Sequence, residues 1–333
     1  MRILVTGAGG FLGRAVVRRL LERGDEVFGL GRSPQPELEK LGVLFTRGDV
    51  ADFSAVCEAC RGMDGVIHTA AKAGVWGRYE DYYAANVTGT RNVIAACRAQ
   101  GVHLLVHTST PSVVYNGLDI EGGNEALPLC AKAPNAYVAT KVIAEREALL
   151  ADAPGVLSVC ALRPHLIFGV GDPHLLPRVI AAAKAGRFRI VGNGKNRVDV
   201  THVESAALAH VLALDALAAG RGCGRAYFIS QGEPVLLWPW INALLARIGV
   251  PEVTGHVPAP LAGFAGAAME GAWRLFALRG EPPLTRFSAL ELATSHWFDI
   301  SSARADLGYS PAISTAEGVE AYAKDYLARN PSR

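Results

Sequence analysis

No stretch of this chain is long and apolar enough to read as a membrane span. The longest uncharged apolar segment of interest, Val257–Met269, has 13 residues, against about 20 for a spanning helix. The N-terminus offers only Ile3-Leu4-Val5 between Arg2 and Thr6-Gly7, short of the roughly 7–15 apolar residues of a secretory core, so no signal peptide is expected. An excess of one charge is also lacking. Lys and Arg number 33 against 31 Asp and Glu, a net charge of +2, which leaves no electrostatic footprint for nucleic acid. The six cysteines are scattered, and the one close pair, Cys57-x-x-Cys60, has neither a second pair nor a histidine set beside it. That argues against zinc or any other metal and for unpaired thiols in a reducing cytoplasm. The 36 glycines show no three-residue period, and neither internal repeats nor low-complexity tracts occur; collagen-like and solenoid chains are excluded.

What is present is a sizeable core. Half of the 333 residues are hydrophobic and 19% are charged, enough for one large α/β domain carrying a smaller lobe. Strand patterns at 2–6, 26–30, 43–46, 65–68, 104–108 and 156–162 alternate with helical patterns at 11–23, 53–60, 79–100 and 135–151. Such alternation predicts a doubly wound parallel sheet of Rossmann type, covered on both faces. After Arg163-Pro164 the regularity weakens. Helices are expected over 175–185, 203–219, 234–248 and 260–277, with short strands at 188–191 and 226–229. The division expected is a dinucleotide-binding domain over 1–165, with returning segments near 198–230, and a smaller, mostly helical substrate lobe from 166–197 and 231–333.

Gly7, Gly10 and Gly13 in Thr6-Gly7-Ala8-Gly9-Gly10-Phe11-Leu12-Gly13 follow the first strand and open a helix. Glycine permits the tight turn and close approach of backbone to a pyrophosphate, and the helix start offers unbonded N–H groups to phosphate. Phe11 and Leu12 lie in the same turn. At the end of the second strand, where a carboxylate would hold the adenosine ribose, Gly31 stands instead, followed by Arg32. A missing carboxylate together with an arginine predicts NADP(H) in preference to NAD(H). Asp49, with Val50 after it, is placed to accept from the adenine amino group or to cap the next helix. Ala70 and Ala71 are small enough for a cofactor to lie against them.

Tyr137 and Lys141 fall four apart on an expected helix and share a face. A phenol titrates near 10, and a neighbouring ammonium favours the phenolate, making proton exchange with a carbonyl or alcohol oxygen easier. Upstream, Thr108-Ser109-Thr110-Pro111-Ser112 ends a strand with several hydroxyls; some of them serve local turns.

Together these runs resemble the extended short-chain dehydrogenase/reductases, in the branch of the 3β-hydroxysteroid dehydrogenase-like enzymes. The resemblance is carried by residues 6–13, Asn86-Val87-Thr88-Gly89-Thr90, residues 108–115, residues 137–141, and Leu162-Arg163-Pro164 with Gly169-Val170-Gly171-Asp172. It implies that Tyr137 is the proton donor, that Lys141 assists it and binds the ribose, and that Thr110 or Ser109 is the hydroxyl partner. It also implies that Asn86 supports the active-site helix and that Pro164 lies by the nicotinamide amide. Within the branch, residues 70–79, 174–178, 280–287 and His296-Trp297 are similar to bacterial reductases of 2-alkyl-3-oxoalkanoates in long-chain olefin biosynthesis, and less so to sterol-4α-carboxylate 3-dehydrogenases.

The implied reaction is NADPH reduction of a 3-keto group in a lipid-like β-keto acid. Ser112, His174 and Arg178 are candidates to touch such a substrate; Arg78, Arg197 and Arg286 are further cations for its carboxylate. Leu261, Phe264, Ala268, Met269, Trp273, Leu275 and Phe276 form an apolar helix face expected to pack in the core, wall an acyl chain, or touch a membrane or a multi-enzyme complex. The resemblance further implies a homodimer. A sterol or steroid 3β-hydroxy dehydrogenase, a nucleotide-sugar epimerase or reductase, and a non-catalytic NADP-binding sensor remain the alternatives.

Overall fold

A computed structural model describes residues 1–330; the last three residues of the expected lobe range, 331–333, lie outside the described residues. Seven parallel strands form the main sheet: β1 (Arg2–Thr6), β2 (Glu26–Gly31), β3 (Leu44–Arg47), β4 (Gly65–His68), β5 (Leu104–Thr108), β6 (Ser158–Pro164) and β7 (Arg225–Ile229). Their order is β7-β6-β5-β4-β1-β2-β3. The chain runs outward from β1 to β3, then crosses back to lay β4 on the other side of β1. This reversal opens a crevice at the carboxyl ends of β1 and β4, where open α/β sheets bind their ligands.

Helices cover both faces. One face carries α1 (Phe11–Glu22); the other carries α2 (Phe53–Ala59), α3 (Gly89–Gln100) and α4 (Ala136–Leu150). Continuing along the chain come α5 (Leu175–Lys184) and α6 (Val203–Ala218), the latter packed beside α1. Further helices include α7 (Leu237–Arg247), α8 (Ala259–Leu275), α9 (Arg286–Ala293) and α10 (Thr315–Arg329). Central strands read as unbroken apolar runs because both their faces are buried: Ile3, Val5, Val66, Ile67, Leu105 and Val106 are essentially inaccessible. A second core, built on Phe168, Leu176, Trp238, Ile241, Leu244 and Tyr322, lies in the mostly helical C-terminal part.

Several boundaries differ from the sequence pattern for physical reasons. The helical pattern at 79–100 is three pieces: an α-turn (Tyr79–Tyr82), a π-helical segment (Tyr83–Thr88) and α3. Within the π segment, Asn86 turns inward to bond backbone elsewhere, and π-bulges of this sort gather at functional sites. α7 starts at Leu237, three residues later than its pattern, since Val235–Leu236 pairs with Arg197–Val198 in a small mixed sheet. That sheet also contains His296–Phe298 and Ile120–Gly123.

The apolar residues of α8 divide. Ala262, Gly266 and Glu270 face inward, with Gly266 so close to α9 that a Cβ would stand 2.6 Å from the Thr285 carbonyl carbon. Phe264 (73% exposed) and Leu275 (77%) point to solvent with Leu261, Ala268 and Phe276, and Met269 and Trp273 are half-buried, so the face expected to pack in the core lies outside it; the side turned inward is the one with the small residues Ala262 and Gly266. Among the described residues, no helix is long and apolar enough to cross a membrane.

Candidate active site

The glycine turn is built by contact. Gly7 takes φ +70°, and a Cβ there would lie 2.8 Å from the Ala70 backbone; one on Gly13 would lie 2.2 Å from the Gly7 carbonyl oxygen. Only hydrogen fits at either place. Gly10 N donates to Gly7 O at 2.8 Å, and α1 opens next, at Phe11, with no side chain capping its N–H groups. Those donors face a cleft of about 700 Å³ lined by Gly7, Gly10, Arg32, Asp49, Val50, Ala70 and Ala71. A dinucleotide fits these residues: glycines where bulk would intrude, free N–H groups where a pyrophosphate would sit, and small residues along one wall.

At the adenosine end, the Asp49 carboxylate accepts from Ala51 N at 2.9 Å, while Asp52 caps α2 through Ser54 N. The Arg32 side chain is exposed, and its carbonyl accepts from Arg47 Nε at 2.9 Å. The Phe45 ring lies against Gly29 and Gly31, so that a Cβ on Gly31 would come within 3.1 Å of it. Asn86 uses its amide on structure: Oδ1 accepts from Lys72 N at 2.7 Å, and Nδ2 donates to Lys72 O and, at 3.0 Å, to Thr140 Oγ1 in α4. It ties the loop after β4 to the helix that carries Tyr137.

Asn135 caps α4 by accepting from Val138 N at 2.9 Å. One turn in, Lys141 is buried and donates from Nζ to Thr108 O at 2.5 Å. Burial brings its pKa down to about 8, against the pull of Glu145. Tyr137 is half-buried and edge-on to Tyr82, their centroids 6.4 Å apart. Burial pushes the phenol up; a hydrogen bond from Thr110 draws it back, and the Glu291 carboxylate pushes it further up. The Lys141 ammonium is thus spent first on a carbonyl, and the groups that act on the phenol are Thr110 and Glu291.

Thr110 is extended (φ −160°) and caps the short 3₁₀ turn Pro111–Val114, accepting from Ser112 N at 3.3 Å. Ser112 also accepts from Thr110 Oγ1 at 3.3 Å. The neighbouring Ser109 Oγ is buried without a hydrogen-bond partner. Pro164 closes β6, one residue after Arg163, which clasps Glu145 of α4 at 2.6 and 2.9 Å inside the protein. His174 is exposed at the start of α5, and Arg178 forms an ion pair with Glu281 at 2.9 Å.

Sequence reading named His296 only within the His296-Trp297 pair of the resemblance and gave no role to the groups that surround this constellation. His68 bonds Thr6 Oγ1 (2.7 Å) and Thr90 Oγ1 (3.1 Å), and its ring lies 5.5 Å from that of His107. Burial and the Lys141 charge hold both imidazoles neutral, His68 down to about 3. On the lobe side, Glu291, His296 and His165 come together from α9, the small sheet and the loop after β6. Their contacts are distant in sequence, and no local pattern marks them.

The strand order, the glycine turn and the helix bearing Tyr137 and Lys141 define an extended short-chain dehydrogenase/reductase, an NAD(P)-dependent oxidoreductase. A profile of the 3-beta hydroxysteroid dehydrogenase/isomerase family matches residues 4–257, and the chain belongs to that family. It is 50% identical over 322 residues to a 2-alkyl-3-oxoalkanoate reductase of Stenotrophomonas maltophilia (strain K279a), covering 96% of this chain and 97% of that protein. It is 47% identical to a protein of the same name from Shewanella oneidensis, covering 95% and 84%. Among solved structures, MoeE5 in complex with UDP-glucose and NAD superimposes with a TM-score of 0.75 at 26% identity, covering 100% of both chains.

Proposed function

We propose that this protein reduces the 3-keto group of a 2-alkyl-3-oxoalkanoate to the 3-hydroxy acid with NADPH, as a step of long-chain hydrocarbon biosynthesis. The observation that carries this reading is the 50% identity, over 96% of the chain, with a protein named for that substrate. The Tyr137–Thr110 pair supports it, since a carbonyl oxygen held by both would receive a proton from the phenol and a hydrogen bond from the hydroxyl. The nicotinamide, when bound, supplies the hydride to the carbonyl carbon. Lys141 holds the end of β5 against α4, the helix that carries Tyr137. The preference for NADPH rests on Gly31 and Arg32, which leave no carboxylate to oppose a 2′-phosphate and provide a cation for it.

A lipid-like substrate also gives the exposed face of α8 a role. Phe264, Leu275 and Phe276, flanked by Arg274 and Arg279, suit shallow contact with an anionic bilayer. Cosedimentation with anionic vesicles, lost on Phe264→Asp, supports that contact; retention of the wild type in the supernatant removes it.

The deciding experiment follows NADPH and NADH oxidation with 2-alkyl-3-oxoalkanoates and UDP-sugars, and NAD(P)+ reduction with sterol alcohols. Turnover of the β-keto acids with NADPH supports the reading. Turnover confined to sterols or sugar nucleotides overturns it.

A further inference from the structure

Arg47 ends β3, and its partner across the ladder is Gly31, the last residue of β2. Residues paired in this way project from the same face of the sheet. Phe45, two residues before Arg47, shares that face, and its ring lies against Gly31. A side chain at 31 would therefore leave the sheet on the side where Arg47 leaves it. That is the position from which a carboxylate holds the adenosine ribose when this fold binds NAD. Here the position is bare, and the neighbouring strand supplies a guanidinium instead.

That guanidinium is anchored. Arg47 Nε donates to the Arg32 main-chain oxygen at 2.9 Å, which uses one of its five N–H donors. Its terminal nitrogens, Nη1 and Nη2, have no protein partner among the described residues. Arg32, exposed on the same turn, has no ion-pair partner among them either. Carboxylates on the adjoining turns are engaged elsewhere: Glu37 pairs with Lys40 at 3.3 Å, Asp49 accepts from Ala51 N, and Asp52 caps α2.

Two guanidinium groups on one turn with no carboxylate between them repel each other. A dianion set against both converts the repulsion into charge-assisted hydrogen bonds. Phe45 and Gly48, on either side of Arg47 along the strand, line the 700 Å³ cleft together with Gly31 and Arg32. The anion therefore belongs to a ligand lying in that cleft, at its adenosine end. We propose that Arg47 is a specificity-determining residue for the cofactor, its terminal N–H groups joining Arg32 on the 2′-phosphate of NADP(H). This role rests on the NADPH reading and adds to it a residue of the edge strand, held in place through Nε before the phosphate arrives.

The test reads binding, without turnover. Dissociation constants are measured for NADPH and NADH by fluorescence titration, and for 2′,5′-ADP and 5′-AMP by calorimetry. The wild type binds 2′,5′-ADP more tightly than 5′-AMP. Arg47→Gln weakens NADPH and 2′,5′-ADP by roughly 10–100-fold and leaves NADH and 5′-AMP nearly unchanged. Arg47→Lys, which keeps the charge and loses the planar fork, recovers part of the loss. In an Arg32→Ser background, Arg47→Gln weakens 2′,5′-ADP again, which an effect transmitted through the shape of the Arg32 turn would not do. Melting temperature reports whether each variant is folded. Unchanged 2′,5′-ADP affinity in Arg47→Gln, equal losses for the ligands with and without the 2′-phosphate, or no second loss in the Arg32→Ser background overturns the proposal while the NADPH reading stands. Wild-type protein that binds 2′,5′-ADP no better than 5′-AMP overturns that reading and the proposal with it.

Discussion

Lys141 Nζ donates to the main-chain oxygen of Thr108 at 2.5 Å, pinning the active-site helix to the last residue of β5, two residues ahead of Thr110. One bond thereby sets the spacing between the phenol and the hydroxyl that are to share a substrate oxygen. Because burial lowers this lysine to about 8, the ammonium discharges within the working range of the enzyme. Its charged form exists below that value, so kcat for reduction is expected to hold below about pH 8 and fall above it. The pH profile of kcat checks this; an alkaline limb still flat at pH 10 would contradict it. Stability runs the opposite way. The native state gives up this proton before the unfolded chain does, so the cost of burying the charge eases as pH rises from 8 toward the unfolded value of 10.5.

Tyr137→Phe removes the proton donor and leaves the glycine cradle intact. Turnover should drop by roughly 10²–10⁴-fold, with NADPH affinity by fluorescence titration nearly unchanged. Retained turnover would assign the proton to another group and revive a purely cofactor-sensing role.

Buried neutral histidines should make the fold acid-sensitive. His68 and His210 are lowered to about 3 and about 4 by desolvation, so the unfolded state takes up their protons first as pH falls below 6.5. Between pH 7 and 5 each costs about 2 kcal/mol of stability. Asp199, raised to about 6 by burial, works in reverse and returns about 1 kcal/mol. These three groups together give a loss of roughly 2–3 kcal/mol between the two pH values, to which His107 and His165, also lowered by burial, add in the same direction; urea midpoints read the sum. Equal midpoints would mean that the imidazoles are solvated.

Glu145 is fully buried under a two-point contact with Arg163. Glu145→Gln strands the guanidinium and should cost about 3–5 kcal/mol, read as a lower urea midpoint. Glu145→Leu combined with Arg163→Met should recover a good part of that loss, since an apolar pair of similar volume needs no desolvation.

At the adenosine end, Arg32→Ser should raise KM for NADPH more than for NADH. Gly31→Asp should shift preference toward NADH, with a loss of stability because its Cβ would meet the Phe45 ring at 3.1 Å. Adding Phe45→Leu should return the stability while keeping the shifted preference. The ratio of kcat/KM for the two cofactors and the melting temperature separate these effects.

Much of the nucleotide half was legible because its signals are local. The glycine turn, the strand before it and the Tyr137–Lys141 helix each lie within a few residues, and the parallel sheet announced itself through unbroken apolar strands. The lobe was harder to read. Its strands are two or three residues long, as at Arg197–Val198 and His296–Phe298, too short to show a period. α10 does carry a local start signal, the reciprocal cap of Ser314 and Glu317. α9 follows Pro282-Pro283 and has little amphipathic contrast, so it blended into irregular chain. Glu291, His296 and His165 lie up to 131 residues apart; only the fold makes them neighbours.

The hydrogen atom that stands in for a side chain at Gly266 acts as a distance stop between two helices. α9 rests directly on it, and α9 carries Glu291, whose charge reaches the Tyr137 phenol, so that carboxylate is positioned from a helix whose outer side meets solvent.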